Sequence, residues 1–330
     1  MVYELYGNCF FALWNSILVE RCIIMISLIV PCLNEESAIP SFYEELMKVQ
    51  ESLDEIEIIF VDDGSTDKTI KVIKKLQEKD SRVHFISFSR NFGKEAAMLA
   101  GLEYSKGDYV VTMDVDLQDP RSLLPEMYRA LIDSESEYDC VATRRKDRKG
   151  ESMIRSFFSR CFYKLIGYFS STPIIDGARD YRFMSRKMAD AVINDREYNR
   201  FSKGLYSWVG FNTLWLEYEN IERSTGTTKW SLWTLFKYSV EGILAYSTVP
   251  LSVISFIGIV TFFLAFIGLI VVFVRALLFG DPVAGWPSLV CIITLLGGLI
   301  LLCLGIIGLY LSKIYLETKK RQIYIVKDQG

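Results

Sequence analysis

Hydrophobic and polar positions follow two regimes along this chain. In the first, residues 26–30 (Ile-Ser-Leu-Ile-Val), 56–61 (Ile-Glu-Ile-Ile-Phe-Val) and 109–112 (Tyr-Val-Val-Thr) are short apolar runs, each ending abruptly in an acidic or polar loop. Runs of this kind predict strands covered on both faces. Helical segments separate them, one over about residues 68–79, for which Ser65, Thr66 and Asp67 are N-cap candidates and Asp67 reads first as a cap. A fourth apolar run, 83–88, holds His84. The alternation predicts an α/β domain over residues 25–228, with ligands gathered at the carboxyl ends of its strands.

The second regime is apolar throughout. No charged residue lies between Glu241 and Arg275, or between Asp281 and Lys313. Each gap exceeds the roughly 20 residues needed to cross the hydrocarbon core, so two transmembrane helices are predicted within 249–312. Gly280-Asp281-Pro282 and Gly285-Trp286-Pro287 punctuate the connector between them. Lys313, Lys319, Lys320, Arg321 and Lys327 follow, so residues 313–330 read as a basic cytoplasmic tail. Two spans return the preceding domain to the same side, giving a multi-pass cell-membrane protein with a cytoplasmic catalytic domain.

Two amphipathic stretches lie upstream. Leu232, Phe236, Val240 and Ile243 share helical spacing, with Trp230 and Trp233 near the start, so 229–248 reads as a juxtamembrane helix. In 152–170, Ile154, Phe157, Phe158, Cys161, Leu165 and Phe169 form a stripe interleaved with Arg155, Arg160 and Lys164. That pattern suits a membrane-surface helix or an ordinary core-facing one. Met25 stands directly before the first strand, so it is the expected natural start, with 1–24 an N-terminal extension.

Composition narrows the chemistry. A net charge of −3 argues against nucleic acid as a general partner, and the 51 % hydrophobic content is high for a soluble enzyme. The seven cysteines show no CxxC or zinc spacing, which points to reduced thiols. With His84 the only histidine, a His-pair metal site is excluded and triad chemistry is disfavoured.

The most informative residues follow the run 109–112, in Asp114-Val115-Asp116-Leu117-Gln118-Asp119-Pro120. Period-two alternation points Asp114 and Asp116 the same way, so they can converge on one divalent cation. Hard oxygen donors suit Mg²⁺ or Mn²⁺, ions that commonly share their shell with substrate phosphates. Two solvated carboxylates opening a loop is the plain alternative. Asp62 and Asp63 form a second acidic pair, for which a base N–H and a ribose hydroxyl are suitable donors.

Val30-Pro-Cys-Leu-Asn-Glu-Glu36, Val61-Asp-Asp-Gly-Ser-Thr-Asp67 and the segment 114–120 together resemble inverting family 2 glycosyltransferases of the GT-A fold. In order and spacing they are similar to polyprenyl-phosphate sugar transferases, the group that includes dolichol-phosphate mannose synthases and bacterial undecaprenyl-phosphate glucosyl- and N-acetylglucosaminyltransferases. The similarity continues through residues 90–97, 176–182 and 225–230. It implies a nucleotide site at Pro31, Leu33, Glu35, Asp62, Asp63, Asp114 and Val115. It also implies a metal held by Asp114, Asp116 and Gln118, and an acceptor phosphate gripped by Arg182 with Arg144 or Arg145. Asp116, Asp180 and Arg182 carry the catalytic roles in this reading, with Asp180 either orienting Arg182 or contacting the sugar. Lys94 adds a positive charge or is a solvated surface lysine. Arg144 and Arg145 sit in a charge run that equally reads as a solvated loop.

Two departures from the family pattern stand out. Arg179 replaces the common glycine before Asp180, and Val115 replaces a common alanine, which is tolerable if it faces the core. The resemblance implies inverting transfer of one sugar, with UDP-glucose or UDP-N-acetylglucosamine favoured, to undecaprenyl phosphate for cell-envelope glycosylation. A GDP-mannose user is the runner-up, and a non-catalytic membrane scaffold is the reading from a different class. A processive synthase is disfavoured by the lack of a Gln-x-x-Arg-Trp motif and by only two spans. A downstream flippase and an outer-face transferase would be natural partners, and homo-oligomerisation is left open.

Overall fold

A computed structural model describes residues 24–132, 137–146, 175, 177–219, 249–279 and 285–330. The expectations for 1–23, 152–170, Asp176 and 225–248 lie outside the described residues. Four parallel strands form the centre: β1 (Met25–Cys32), β2 (Glu55–Asp62), β3 (Val83–Phe88) and β4 (Tyr109–Thr112). β1 lies between β2 and β4, because the chain winds outward through β2 and β3 and then returns to the other side of β1. That reversal is a topological switch point, where a crevice opens at the carboxyl ends of the flanking strands.

Both faces of the sheet are covered, which is why its strands are apolar almost without interruption. On one face Ile26, Leu28 and Val30 pack with Ile39, Phe42 and Leu46 of α1 (Ala38–Gln50), Ile73 of α2 (Thr69–Gln77) and Met127 of α4 (Leu124–Ile132). On the other, Ile29, Ile59 and Val61 meet Ala96, Ala97 and Ala100 of α3 (Lys94–Tyr104), with Met188 of α5 (Arg186–Asn194) and Leu205 of α6 (Ser202–Trp208). Val115 belongs to the first cluster and is 4 % exposed, so its side chain does face the core.

The sheet is then extended on both sides. β6 (Ala178–Ser185) runs antiparallel to β4, pairing Arg182 with Thr112, while β5 (Cys140–Arg145) and β7 (Thr213–Tyr218) complete that side. Because β6 is antiparallel, its beginning, with Arg179 and Asp180, lies at the rim where β4 ends. On the far side β8 (Val326–Gln329) adds antiparallel to β3. Within the basic tail, residues Val326–Gln329 thus form a strand at the edge of the sheet. Tyr324 stacks on Phe88 at 5.0 Å, and Lys74 pairs with Asp328 at 2.6 Å.

Between β7 and β8 come two long apolar helices, α7 (Val249–Phe279) and α8 (Trp286–Thr318). Among the described residues one stretch, Leu295–Thr318, is long and apolar enough to cross a membrane by length and composition, and none of it is buried.

Gly64 marks where the second acidic loop passes the strand after it. Its φ of +72° is left-handed, and an added Cβ would lie 2.4 Å from the Arg90 carbonyl carbon. Replacement by alanine is expected to destabilise the domain by about 2–3 kcal/mol, read as a lowered thermal unfolding midpoint; an unchanged midpoint would refute the close approach.

Candidate active site

The loops after β1 and β2 are laced together. The Asn34 amide donates to Ser65 Oγ at 2.9 Å, and Asn34 Oδ1 accepts the Thr66 amide at 2.8 Å. The Glu35 amide donates to Thr69 Oγ1 at 2.8 Å, and Glu36 Oε2 accepts the Lys68 amide at 2.9 Å. Asn34 adopts a positive φ of 55°, which asparagine tolerates better than most residues. Asp67 accepts the Thr69 amide at 2.9 Å, satisfying a donor at the start of α2 as a cap would. Pro31, Leu33 and Glu35 are half-buried along this rim.

Asp62 and Asp63 find donors within the protein. Both are buried, at 2 % and 4 % exposure, and both are engaged by the protein itself. Asp62 accepts the Ser65 amide at 3.0 Å and the Ser87 hydroxyl at 2.7 Å. Asp63 accepts the amides of Phe92 (2.6 Å) and Gly93 (3.1 and 3.0 Å) at the start of α3. Burial pushes the Asp63 carboxyl above its usual range, and those amides pull against it. A carboxylate pair at a strand end needs donors, and here backbone and serine supply them. These bonds hold the loops in place around the rim.

The loop after β4 carries the acidic motif. Asp114 Oδ1 lies 2.6 Å from Lys94 Nζ, and the same ammonium lies 2.5 Å from Asp180 Oδ2. Lys94 is therefore a bridge across the site, not a free surface lysine. Burial alone would lower its pKa, but the two carboxylates outweigh that and hold it firmly protonated. In turn Lys94 overcomes the burial of Asp180 and keeps that carboxylate well below its usual range.

Asp116 is half-buried, and its Oδ1 accepts the Gln118 amide at 3.2 Å. Burial and the neighbouring Asp114 charge raise its carboxyl above the ordinary value. Leu117 between them has a positive φ of 60°, an unfavourable conformation for leucine that turns the chain sharply. Gln118 Oε1 accepts from Arg145 Nη2 at 3.0 Å.

Asp119 is 2 % exposed, and its Oδ1 accepts from Arg179 Nε at 3.0 Å and the Tyr218 hydroxyl at 2.7 Å. Arg179 also approaches Asp114 at 3.8 Å. Arg121 donates to the backbone carbonyls of Asp119 (2.7 Å) and Asp114 (3.0 Å). Four acids (Asp114, Asp116, Asp119, Asp180) and four cations (Lys94, Arg121, Arg145, Arg179) thus surround one loop. Asp119, Arg121 and Tyr218 were not singled out from sequence. The signals for the first two were their places within and just after the motif, whereas Tyr218 lies 99 positions from Asp119.

The arginines implied by family resemblance separate here. Arg182 is 2 % exposed, its guanidinium packed 4.4 Å from the Tyr206 ring and 5.1 Å from the Trp215 ring. Its register partner is Thr112, the last residue of β4. Arg144 pairs with Glu217 at 2.5 Å, both side chains well exposed, as a solvated surface bridge. Arg145, by contrast, reaches the acidic loop through Gln118.

As a cation site, Asp114, Asp116 and Gln118 offer hard oxygen donors of the type that suits Mg²⁺ or Mn²⁺. Among the described residues no group of three or more His, Cys, Asp or Glu could hold a metal by itself. Two carboxylates and one carboxamide leave room in the shell of such an ion for substrate oxygens and water.

The chain is 40 % identical over 305 residues to the bactoprenol glucosyl transferase of Shigella phage SfV, covering 92 % of this chain and 98 % of that one. It is 40 % identical over 303 residues to a prophage bactoprenol glucosyl transferase homolog of Escherichia coli K12, again covering 92 % and 98 %. Similar solved structures include mannosyl-3-phosphoglycerate synthase from Rubrobacter xylanophilus, at 18 % identity and a TM-score of 0.45 over 67 % of this chain and 72 % of that one. Glucosyl-3-phosphoglycerate synthase from Mycobacterium tuberculosis, in complex with Mn²⁺ and UDP-glucose, is 21 % identical with a TM-score of 0.42 over 67 % and 77 %. Residues 27–193, from β1 through α5, match the model of glycosyl transferase family 2, and with relatives this similar along nearly its whole length the chain belongs to that family.

Proposed function

We propose that this protein transfers one glucose from a nucleotide sugar, with UDP-glucose the favoured donor, to a polyprenyl phosphate at the cytoplasmic face of the cell membrane. The observation that carries the reading is 40 % identity to bactoprenol glucosyl transferases over 92 % of the chain. The donor's nucleoside lies against the loops of Pro31, Leu33 and Glu35, and its diphosphate faces the acidic loop. Mg²⁺ or Mn²⁺, held by Asp114, Asp116 and Gln118, would supply Lewis-acid neutralisation of charge on the leaving nucleoside diphosphate. Arg145 orients Gln118, and Arg179 with Tyr218 fixes Asp119 so that the loop keeps its shape. Lys94 and Arg179 put positive charge beside the transferring group.

The acceptor explains why the site needs no histidine base. A lipid phosphate is ionised near neutral pH and attacks without surrendering a proton. His84 lies on β3 beside Tyr104, with ring centroids 6.3 Å apart, and takes no part. What the site contributes is in-line placement of two anionic groups.

Two membrane spans, α7 and α8, fit the topology. β8 follows α8 yet shares a sheet with strands that precede α7. A chain that leaves and rejoins one sheet crosses a bilayer an even number of times, which supports a reading in which α7 spans together with α8. Transfer of radiolabelled sugar from UDP-glucose, UDP-N-acetylglucosamine and GDP-mannose to undecaprenyl phosphate, with Mg²⁺, Mn²⁺ or EDTA, tests the reading. A metal-dependent glucolipid from UDP-glucose is expected. Label from GDP-mannose alone would establish the mannose alternative, and no lipid product from any donor would reject the proposal.

A further inference from the structure

The candidate span Leu295–Thr318 holds two charged residues, Lys313 and Glu317, four positions apart and so on one helix face. Both reach into the catalytic domain. Glu317 accepts the backbone amide of Tyr198 at 2.9 and 3.1 Å and that of Asn199 at 3.2 Å. Lys313 Nζ donates to Asn199 Oδ1 at 3.0 Å. A carboxylate that takes two consecutive amides fixes a backbone, not merely a side chain, because amides cannot swing away as lysine tips can.

The segment so gripped runs between α5 and α6 and is itself rigid. Arg200 is 9 % exposed and donates to the Val192 carbonyl at 3.0 Å and to that of Asp195. Arg196 pairs with Glu103 of α3 at 2.8 Å. At the other end, the Ser202 amide donates to Glu95 at 3.0 Å, and the Ser202 hydroxyl donates to the same carboxylate. Glu95 is the neighbour of Lys94, the bridge between Asp114 and Asp180. Hydrogen bonds linked by short stretches of backbone therefore join the end of α8 to the acidic rim.

We infer that Glu317, with Lys313, is a positioning residue for the lipid acceptor: it locks residues 198–199 to the membrane helix and so sets the pose of the rim over the bilayer. This rests on the polyprenyl-phosphate reading above. A lipid phosphate cannot choose its own height, because its chain stays in the hydrocarbon while its head lies in the interface. The rim must meet it there, and a misplacement of about 1 Å can cost on the order of 100-fold in rate. A soluble acceptor has no such constraint and diffuses to the rim wherever it stands.

The test compares two acceptors for the full-length protein in lipid nanodiscs: undecaprenyl phosphate in the bilayer and water-soluble citronellyl phosphate. Glu317→Ala is expected to lower kcat/KM for undecaprenyl phosphate by at least about tenfold, with citronellyl phosphate and the donor KM within about twofold of wild type. Glu317→Gln keeps an oxygen acceptor for the amides and is expected to restore most of the loss. Equal losses for both acceptors would mark a general structural role and overturn the inference, as would no loss for either. Wild-type protein that uses neither acceptor would instead overturn the functional reading beneath it.

Discussion

Replacing Asp116 with asparagine is expected to cut sugar transfer by about 1,000-fold or more while leaving the protein folded. The substitution keeps the shape of the side chain and an oxygen that can accept the Gln118 amide, now bonded at 3.2 Å, so the turn through Leu117 persists. What disappears is one of the two carboxylate charges available to a divalent ion. Charge neutralisation of a departing diphosphate accounts for several kcal/mol of transition-state stabilisation, and about 4 kcal/mol corresponds to three orders of magnitude. Initial rates of lipid-linked glucose formation, with the unfolding midpoint measured on the same preparation, decide the matter. A folded Asp116→Asn variant that retains the wild-type rate would remove Asp116 from the mechanism.

Lys94→Met is expected to give the next largest effect, a fall of about 100-fold in kcat/KM. Methionine is also long and unbranched, but it strips the counterion shared by Asp114 and Asp180, at 2.6 and 2.5 Å. Two carboxylates would then face each other across the site without the cation that reconciles them. The stability cost is smaller, about 1 kcal/mol, because 41 % of the Lys94 side chain reaches water and the pair is screened. The argument predicts coupling: combined with Asp180→Asn, the Lys94 change costs less than it does alone, since half of the bridge is already gone. Strictly additive losses in a double-mutant cycle on kcat/KM would show that Lys94 and Asp180 act separately.

Much of this was legible along the chain. The three acid-ended strands lie side by side in parallel, because apolar runs covered on both faces leave the backbone few other options. The Asp114–Asp116 pair stands at the carboxyl end of β4, where strand periodicity and the following loop put it. Other contacts were not legible, for a definite reason. Asp62 and Asp63 have the chemistry of ligand contacts, but nothing local shows that they also meet the Ser87 hydroxyl and the Phe92 and Gly93 amides, 25 to 30 positions away. Arg182 has the charge of a phosphate grip, and only the strand register opposite Thr112 shows that it packs against Tyr206 and Trp215.

The sequence by itself determined the local and periodic properties: where strands begin and end, which loops carry acid, and which segments are too apolar for water. Each depends on a few neighbouring residues and on solvent. Tertiary structure alone decided which charges meet. Lys94, Asp114 and Asp180 come from three separate elements, Asp119 finds Tyr218 across 99 positions, and Glu317 finds Tyr198 across 119. The C-terminal strand rejoins the sheet only because β3 offers an unpaired edge. Pairings of that kind depend on the relative placement of whole elements, and no local window of the chain contains that information.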